Sequence, residues 1–159
     1  MAKSTKAQDN APDTQEIDRE QLIALLNEDL GREYQAIIAY VVYSQVLTGA
    51  EYMTIARELE KHASEELNHA LSISKQIDYL GGTPTVTPNS VKMSEKAQDL
   101  LRFDLDNEVE TIRNYRQRVR QCEALGEFAL AETLRDILIE EQDHAIELAT
   151  ALGIPVPQI

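Results

Sequence analysis

Four stretches of this sequence carry apolar side chains every three or four residues, the spacing of one face of an α-helix. In chain order they comprise Leu26, Leu30, Ile37 and Leu47; Ile55, Leu59, Ile73, Ile77 and Leu80; Leu101, Leu105, Ile112 and Val119; and Leu130, Leu134, Ile137, Leu148 and Leu152. Glycines at 49, 81, 82 and 126 supply stop signals between them. An amphipathic helix must bury its apolar face against another element, so the pattern predicts an all-α four-helix bundle.

The connections predict how the helices are joined. Short breaks after the first and third stretches predict two antiparallel hairpins. The proline-containing segment 81–92, extended at about 3.3 Å per residue, can run the length of the bundle as a long crossover. We therefore expect a disordered tail over 1–16, a bundle over 17–153 and a C-terminal tail over 154–159.

Each apolar stripe is interrupted near its middle by charged or titratable residues. The interruptions are Glu33 in the first stripe, Glu66 and His69 in the second, Glu108 in the third, and Glu141 and His144 in the fourth. A buried, unpaired carboxylate costs several kcal/mol, and the stripes carry no four lysines or arginines to compensate for it. Two divalent cations would balance four carboxylates. A carboxylate-rich site with some nitrogen suits iron or manganese better than structural zinc.

The spacing of these residues strengthens the prediction of a two-metal site. A Glu-x-x-His sequence places both side chains on one helical face, about 5–6 Å apart at Cβ. A shift of 75 residues carries Glu33, Glu66 and His69 onto Glu108, Glu141 and His144. The two hairpins are therefore pseudo-repeats, and each is expected to contribute half of the site. The third histidine, His62, is either a secondary site for incoming metal or an ordinary core or solvent-linked histidine.

Composition excludes several classes of partner. The net charge of −13 disfavours nucleic acid and anionic lipid, and no apolar run reaches the ~20 residues needed to span a bilayer. The single cysteine, Cys122, cannot form an internal disulfide or a CxxC metal site, and residues 1–15 lack the apolar core of a signal peptide. A cytoplasmic location is expected.

The six residues match the di-iron motif of ferritin-like proteins, in which two helices each give a glutamate and two give Glu-x-x-His. The chain most resembles bacterioferritins, over about residues 18 to 152, in the segments LNEDLGREYQAIIAY, SEELNHA, RFDLDNEVE and EEQDHAIEL. The resemblance implies two iron ions per chain, with manganese or zinc as substitutes, and oxidation of iron(II) to iron(III) by O2 or H2O2 for iron storage or detoxification. It leaves open which glutamates bridge the metals. It also implies that Tyr40 lies near the site, as an electron donor or a packed core residue.

Two departures from bacterioferritins modify these expectations. Leu67 stands where that family has its haem-ligating methionine, so haem is not expected. The chain ends seven residues after Leu152 with no segment for a fifth helix, which favours a 12-subunit cage or smaller homo-oligomer over a 24-subunit one. A manganese-dependent, catalase-like protein that removes peroxide remains an alternative. So does a mini-cage resembling those that protect DNA in starved cells.

Overall fold

Four long α-helices make up most of residues 16–159, the part of the chain that the computed structural model describes. They are α1 (Arg19–Val46), α2 (Met53–Tyr79), α3 (Ala97–Ala124) and α4 (Phe128–Ala151). The described residues contain no β-strand, and the predicted all-α four-helix bundle is confirmed. The tail predicted over 1–16 lies, apart from Glu16, outside the described residues, and the division into bundle and tails stays a prediction.

Local sequence explains where the helices begin and end. At the start of α1, Asp18 and Gln21 form a capping box, in which each side chain accepts a hydrogen bond from the other's backbone N–H. At the end of α2, Gly81 adopts a φ of 90°, a left-handed conformation that favours glycine. Helix α3 begins at Ala97, after a turn in which the Ser94 hydroxyl accepts a hydrogen bond from the Lys96 N–H and donates one to the Asp99 carboxylate.

The pairing of helices follows the predicted hairpins. Helix α1 packs mainly on α2, and α3 packs mainly on α4. The hairpins meet through α1 against α3 and α2 against α4. A 3₁₀ turn, Ala50–Tyr52, precedes α2.

The crossover between α2 and α3 is held along α1 by hydrogen bonds. The Asn27 side chain donates to the Thr83 carbonyl at 3.1 Å and accepts from the Thr85 N–H at 2.7 Å. Further along, the Asn89 N–H donates to the Gly31 carbonyl at 3.0 Å. A Cβ at position 31 would lie 3.1 Å from Asn89 Oδ1, so the absence of a side chain at Gly31 allows this close approach.

The core consists of two apolar clusters, one toward each end of the bundle. One includes Leu26, Ile73 and Leu134, and the other includes Leu59, Leu101 and Leu148. In α1, α2 and α4 the polar residues that interrupt the stripes fall between positions of these two clusters, and in α3 Glu108 lies among positions of the second cluster. No helix in the described part of the chain is long and apolar enough to cross a membrane.

Candidate dinuclear metal centre

All six residues predicted from the stripe interruptions are buried, with at most 3% of their surface exposed. They form two overlapping groups whose ligand atoms lie within 4.8 Å of one another. One group is Glu33, Glu66, His69 and Glu141, and the other is Glu66, Glu108, Glu141 and His144. Glu66 and Glu141 belong to both groups.

The distances show how the two imidazoles approach the carboxylates. His69 Nδ1 lies 2.9 Å from Glu66 Oε2, 3.4 Å from Glu141 Oε1 and 3.5 Å from Glu33 Oε2. His144 Nδ1 lies 3.0 Å from Glu66 Oε1, 3.3 Å from Glu141 Oε2 and 3.8 Å from Glu108 Oε1. Each imidazole therefore faces both shared glutamates and one further glutamate.

Several atoms of this cluster lack hydrogen bonds despite their proximity. Glu66 Oε1, Glu141 Oε2 and His144 Nδ1 are buried and have no hydrogen-bond partner. Buried polar atoms normally have one, and leaving one unpaired costs about 1–3 kcal/mol. Such convergence without alignment of donors and acceptors is the arrangement expected of residues that could hold a common ion. The residues present therefore fit a pair of divalent cations.

Proton sharing balances the charge of the metal-free cluster. Burial raises the pKa of Glu33 and Glu108, and the nearby Glu66 and Glu141 carboxylates raise it further. Burial, and for Glu141 the charge of Glu66, act against ionisation of Glu66 and Glu141, but the nearby imidazoles of His144 and His69 outweigh these effects and lower the pKa of both carboxyls.

The pKa values of the two histidines shift in the opposite direction to burial. Burial alone would lower the pKa of His144, but the nearby carboxyl groups of Glu141 and Glu66 raise it to about 12. The carboxyl groups of Glu141, Glu33 and Glu66 likewise outweigh burial and raise the pKa of His69 well above its usual value. Without a cation, these shifts favour protons on Glu33, Glu108, His69 and His144 and negative charge on Glu66 and Glu141.

Outside this group, a further glutamate holds the far nitrogen of each histidine. His69 Nε2 lies 3.0 Å from Glu140 Oε2, and His144 Nε2 lies 2.9 Å from Glu65 Oε2. A partner of this kind fixes the tautomer and the orientation of a metal-binding imidazole. Glu65 and Glu140 were missed from sequence, yet they are related by the same 75-residue shift as the six inner residues.

Two buried tyrosines each form a hydrogen bond with a glutamate of the other hairpin. The Tyr40 hydroxyl donates to Glu108 rather than to Glu33 of its own helix, and the Tyr115 hydroxyl donates to Glu33. Burial and the adjacent carboxylate raise the pKa of each phenol, so both keep the proton they donate. Tyr115 was missed from sequence, although it lies 75 residues after Tyr40.

Three further buried polar residues, Asp29, Asp104 and Arg118, were also missed from sequence. Arg118 makes a two-point contact with Asp29, through Nε at 2.7 Å and Nη2 at 3.2 Å. The 75-residue counterpart of Asp29 is Asp104, which is buried with Oδ2 unpaired. Burial, followed by the charge of Glu66, raises the Asp104 pKa. Within residues 16–159 no arginine stands opposite Asp104, because Tyr43 occupies the position equivalent to Arg118.

His62 and Leu67 lie on different sides of α2. His62 is fully buried, and its ring stacks on that of His144 at 4.0 Å between centroids. Leu67, the position of the haem-ligating methionine in bacterioferritins, is 51% exposed on the surface of the helix.

Comparison with known proteins identifies the family. The family profile of the ferritin-like domain matches residues 23–154, most of the chain. The chain belongs to the ferritin-like family. This ferritin-like chain is 24% identical over 134 residues to the bacterioferritin of Brucella melitensis, covering 84% of the chain and 83% of that protein. It is 29% identical over 124 residues to the bacterioferritin of Desulfovibrio desulfuricans, covering 77% and 69% respectively.

Comparison with solved structures also finds ferritin-like proteins. A ferritin-like, diiron-carboxylate protein from Bacillus anthracis superposes with a TM-score of 0.81 at 36% identity, over 84% of this ferritin-like chain and 96% of that one. A dodecameric thioferritin related to bacterioferritin, from Bacteroides fragilis, superposes with a TM-score of 0.80 at 26% identity, over 87% and 88%. The predicted resemblance to bacterioferritins and to ferritin-like di-iron proteins is thereby confirmed.

Proposed function

We propose that this chain is a ferroxidase that binds two iron(II) ions per chain and oxidises them to iron(III) with O2 or H2O2, for iron storage or detoxification. The observation that carries the proposal is the pair of overlapping buried groups with Glu66 and Glu141 common to both. A pair of redox-active ions held side by side supplies the electrons for reducing a small oxidant.

The residues divide into roles by their geometry. Glu66 and Glu141 are proposed to bridge the two ions, because each lies near both histidines. Glu33 would complete the position beside His69, and Glu108 the position beside His144. Because the site lies in the middle of the bundle between two apolar clusters, bulk water is excluded and the charged ligands act in a medium of low dielectric constant.

Tyr40 is proposed as an electron donor during reduction of the oxidant. Its hydroxyl contacts Glu108, so only one carboxylate separates the phenol from the proposed ion. Tyr115 stands in the equivalent relation to Glu33 and offers a direct comparison.

Assembly into a homo-oligomer is part of the proposal. Adjacent helices α1 and α2 expose large apolar side chains, of which Val41 is 52%, Leu67 51% and Leu71 62% exposed. We propose that these side chains contribute to contacts between subunits. The Bacteroides fragilis relative is a dodecamer. Light scattering on the protein as it elutes from a size-exclusion column should give the mass of a multimer. A monomeric mass would contradict this part of the proposal.

Anaerobic addition of iron(II) to metal-free protein, followed by air or peroxide, tests the ferroxidase activity. Near-ultraviolet absorbance should rise fast and saturate near about two irons per chain. The rise should be lost in Glu66→Ala, which removes a carboxylate of both groups, and kept in Glu60→Ala, a control at an exposed position of the same helix. A continued rise of absorbance when more than about two irons are added per chain would demonstrate iron storage. A rate no faster than spontaneous oxidation would rule out the activity.

A further inference from the structure

A second cluster of potential ligands lies beside the dinuclear centre, toward the start of α2 and the end of α4. Glu58, His62 and Glu147 each offer one ligand atom within 4.8 Å of the others. His62 Nε2 lies 2.6 Å from Glu147 Oε2. We propose that these three residues form an accessory site for one divalent transition-metal cation, distinct from the dinuclear centre.

His62 is an unusual residue for the place it occupies. It is fully buried, and its Nδ1 has no hydrogen-bond partner. A merely structural core histidine would be expected to use both ring nitrogens. Imidazole combined with carboxylates is a ligand set that suits iron, cobalt and zinc.

The two glutamates have no lysine or arginine partner in the described part of the chain, where neither Glu58 nor Glu147 forms an ion pair with such a residue. The nearby lysine, Lys61, pairs with Glu65 instead, at 3.4 Å. A cation bound between Glu58 and Glu147 would satisfy both carboxylates and a nitrogen of His62.

An open cleft gives the cluster access to solvent. It has a volume of about 260 Å³ and is lined by Glu51, Thr54, Ile55, Glu58, Glu147, Thr150 and Ala151. A cation with six waters needs about 180 Å³ at about 30 Å³ per water. The cleft therefore admits a hydrated ion as far as Glu58 and Glu147. On the inner side, the His62 ring stacks on His144, so the accessory site lies between the cleft and the dinuclear centre.

The pseudo-repeat shows that the bundle itself does not require this cluster. The 75-residue shift carries Glu58 and His62 onto Thr133 and Ile137, and it relates Glu147 to Ser72. The equivalent place in the other half of the bundle thus has an isoleucine instead of the histidine. His62→Ile copies a side chain that this fold already holds at the matching position.

Calorimetric titration of metal-free protein with Co(II) tests the proposal, with no dependence on ferroxidase chemistry. The wild-type chain should bind about three Co(II), and His62→Ile and Glu147→Gln about two. Asp136→Asn, which removes the same charge from an exposed position of α4, should keep about three. Anomalous diffraction from Co(II)-soaked crystals should place a peak among the Glu58, His62 and Glu147 side chains. A wild-type ratio of about two, or a third ion retained in both variants, would overturn the proposal.

A further pair of variants separates this result from the dinuclear centre. Glu66→Ala should bind about one Co(II), which the double variant Glu66→Ala/His62→Ile should lose. If Glu66→Ala binds as much Co(II) as wild type, the dinuclear assignment fails while the accessory site stands. If Glu66→Ala binds none although circular dichroism shows it folded, the accessory site fails.

Discussion

The Tyr115 hydroxyl on α3 donates a hydrogen bond to Glu33 on α1, 82 positions away in the chain. The relation is repeated between Tyr40 on α1 and Glu108 on α3. Each hairpin therefore supplies a tyrosine that holds a carboxylate of the other hairpin. The two halves of the candidate site are connected through these crosswise contacts as well as through the shared glutamates.

Tyr115→Phe should destabilise the protein by about 0.5–1.5 kcal/mol, because a buried carboxyl loses its hydrogen bond. It should also weaken metal binding in the half of the site formed by Glu33 and His69. Tyr40→Phe should do the same in the other half, and it alone should slow iron oxidation if Tyr40 is the electron donor. Urea unfolding and Co(II) titration measure these effects, with exposed Tyr79→Phe as the control. Wild-type affinity in Tyr115→Phe would show that the tyrosine does not position Glu33.

Glu65→Ala and Glu140→Ala should each lower metal affinity by about 10–100-fold, because the partner that orients His144 or His69 is removed. Competition with a coloured chelator gives the affinity. Glu132→Ala, at an exposed position of α4, serves as the control. Unchanged affinity in both variants would mean that packing alone orients the imidazoles.

Metal loading should release about four protons per chain at neutral pH, because metal ligands must be deprotonated. The raised pKa values of Glu33, Glu108, His69 and His144 leave these groups protonated in the metal-free form. Apparent affinity should therefore rise with pH between about 6 and 9. Calorimetry in buffers of different ionisation enthalpy counts the protons, and a count near zero would contradict the proton-sharing arrangement.

The same pKa shifts predict the stability of the metal-free protein. Groups with raised folded-state pKa values stabilise the fold below their unfolded-state pKa, and that stabilisation is lost as pH rises toward the folded-state value. For His144 this window runs from about 6.5 to about 12. Stability should thus fall between about pH 7 and 9, by at least about 1.4 kcal/mol per pH unit, the value for one retained proton. Denaturant titrations at several pH values give the change of the unfolding free energy with pH. An unfolding free energy that does not change between about pH 7 and 9 would refute this prediction.

Arg118→Met should destabilise the protein by about 1.5–3 kcal/mol, because the buried Asp29 carboxylate loses its two-point contact with Arg118 and keeps only the contact with Arg32 at 3.2 Å. The double variant Asp29→Leu/Arg118→Met should recover most of that loss, since no buried charge remains. Thermal unfolding of both variants, compared with Arg102→Met at an exposed position of the same helix, gives the difference. A double variant no more stable than the single one would contradict this interpretation.

Much of the fold and the inner site was accessible from the sequence. The apolar stripes identified the four helices that the structure contains in its described part. The stripe interruptions selected the six residues that the structure brings together. Glu65, Glu140 and Tyr115 could have been found by extending the 75-residue shift outward from those six positions.

Other contacts depend on information that periodicity does not contain. Spacing along the chain determines which face of each helix is apolar, because side-chain direction repeats every 3.6 residues. It does not determine how two helices are rotated and offset against each other, which depends on packing between surfaces far apart in sequence. The sequence alone therefore determined the bundle and the residues that face its centre. Only the tertiary structure decided that Glu33 lies beside His69, that Tyr40 reaches Glu108, and that Arg118 is buried against Asp29.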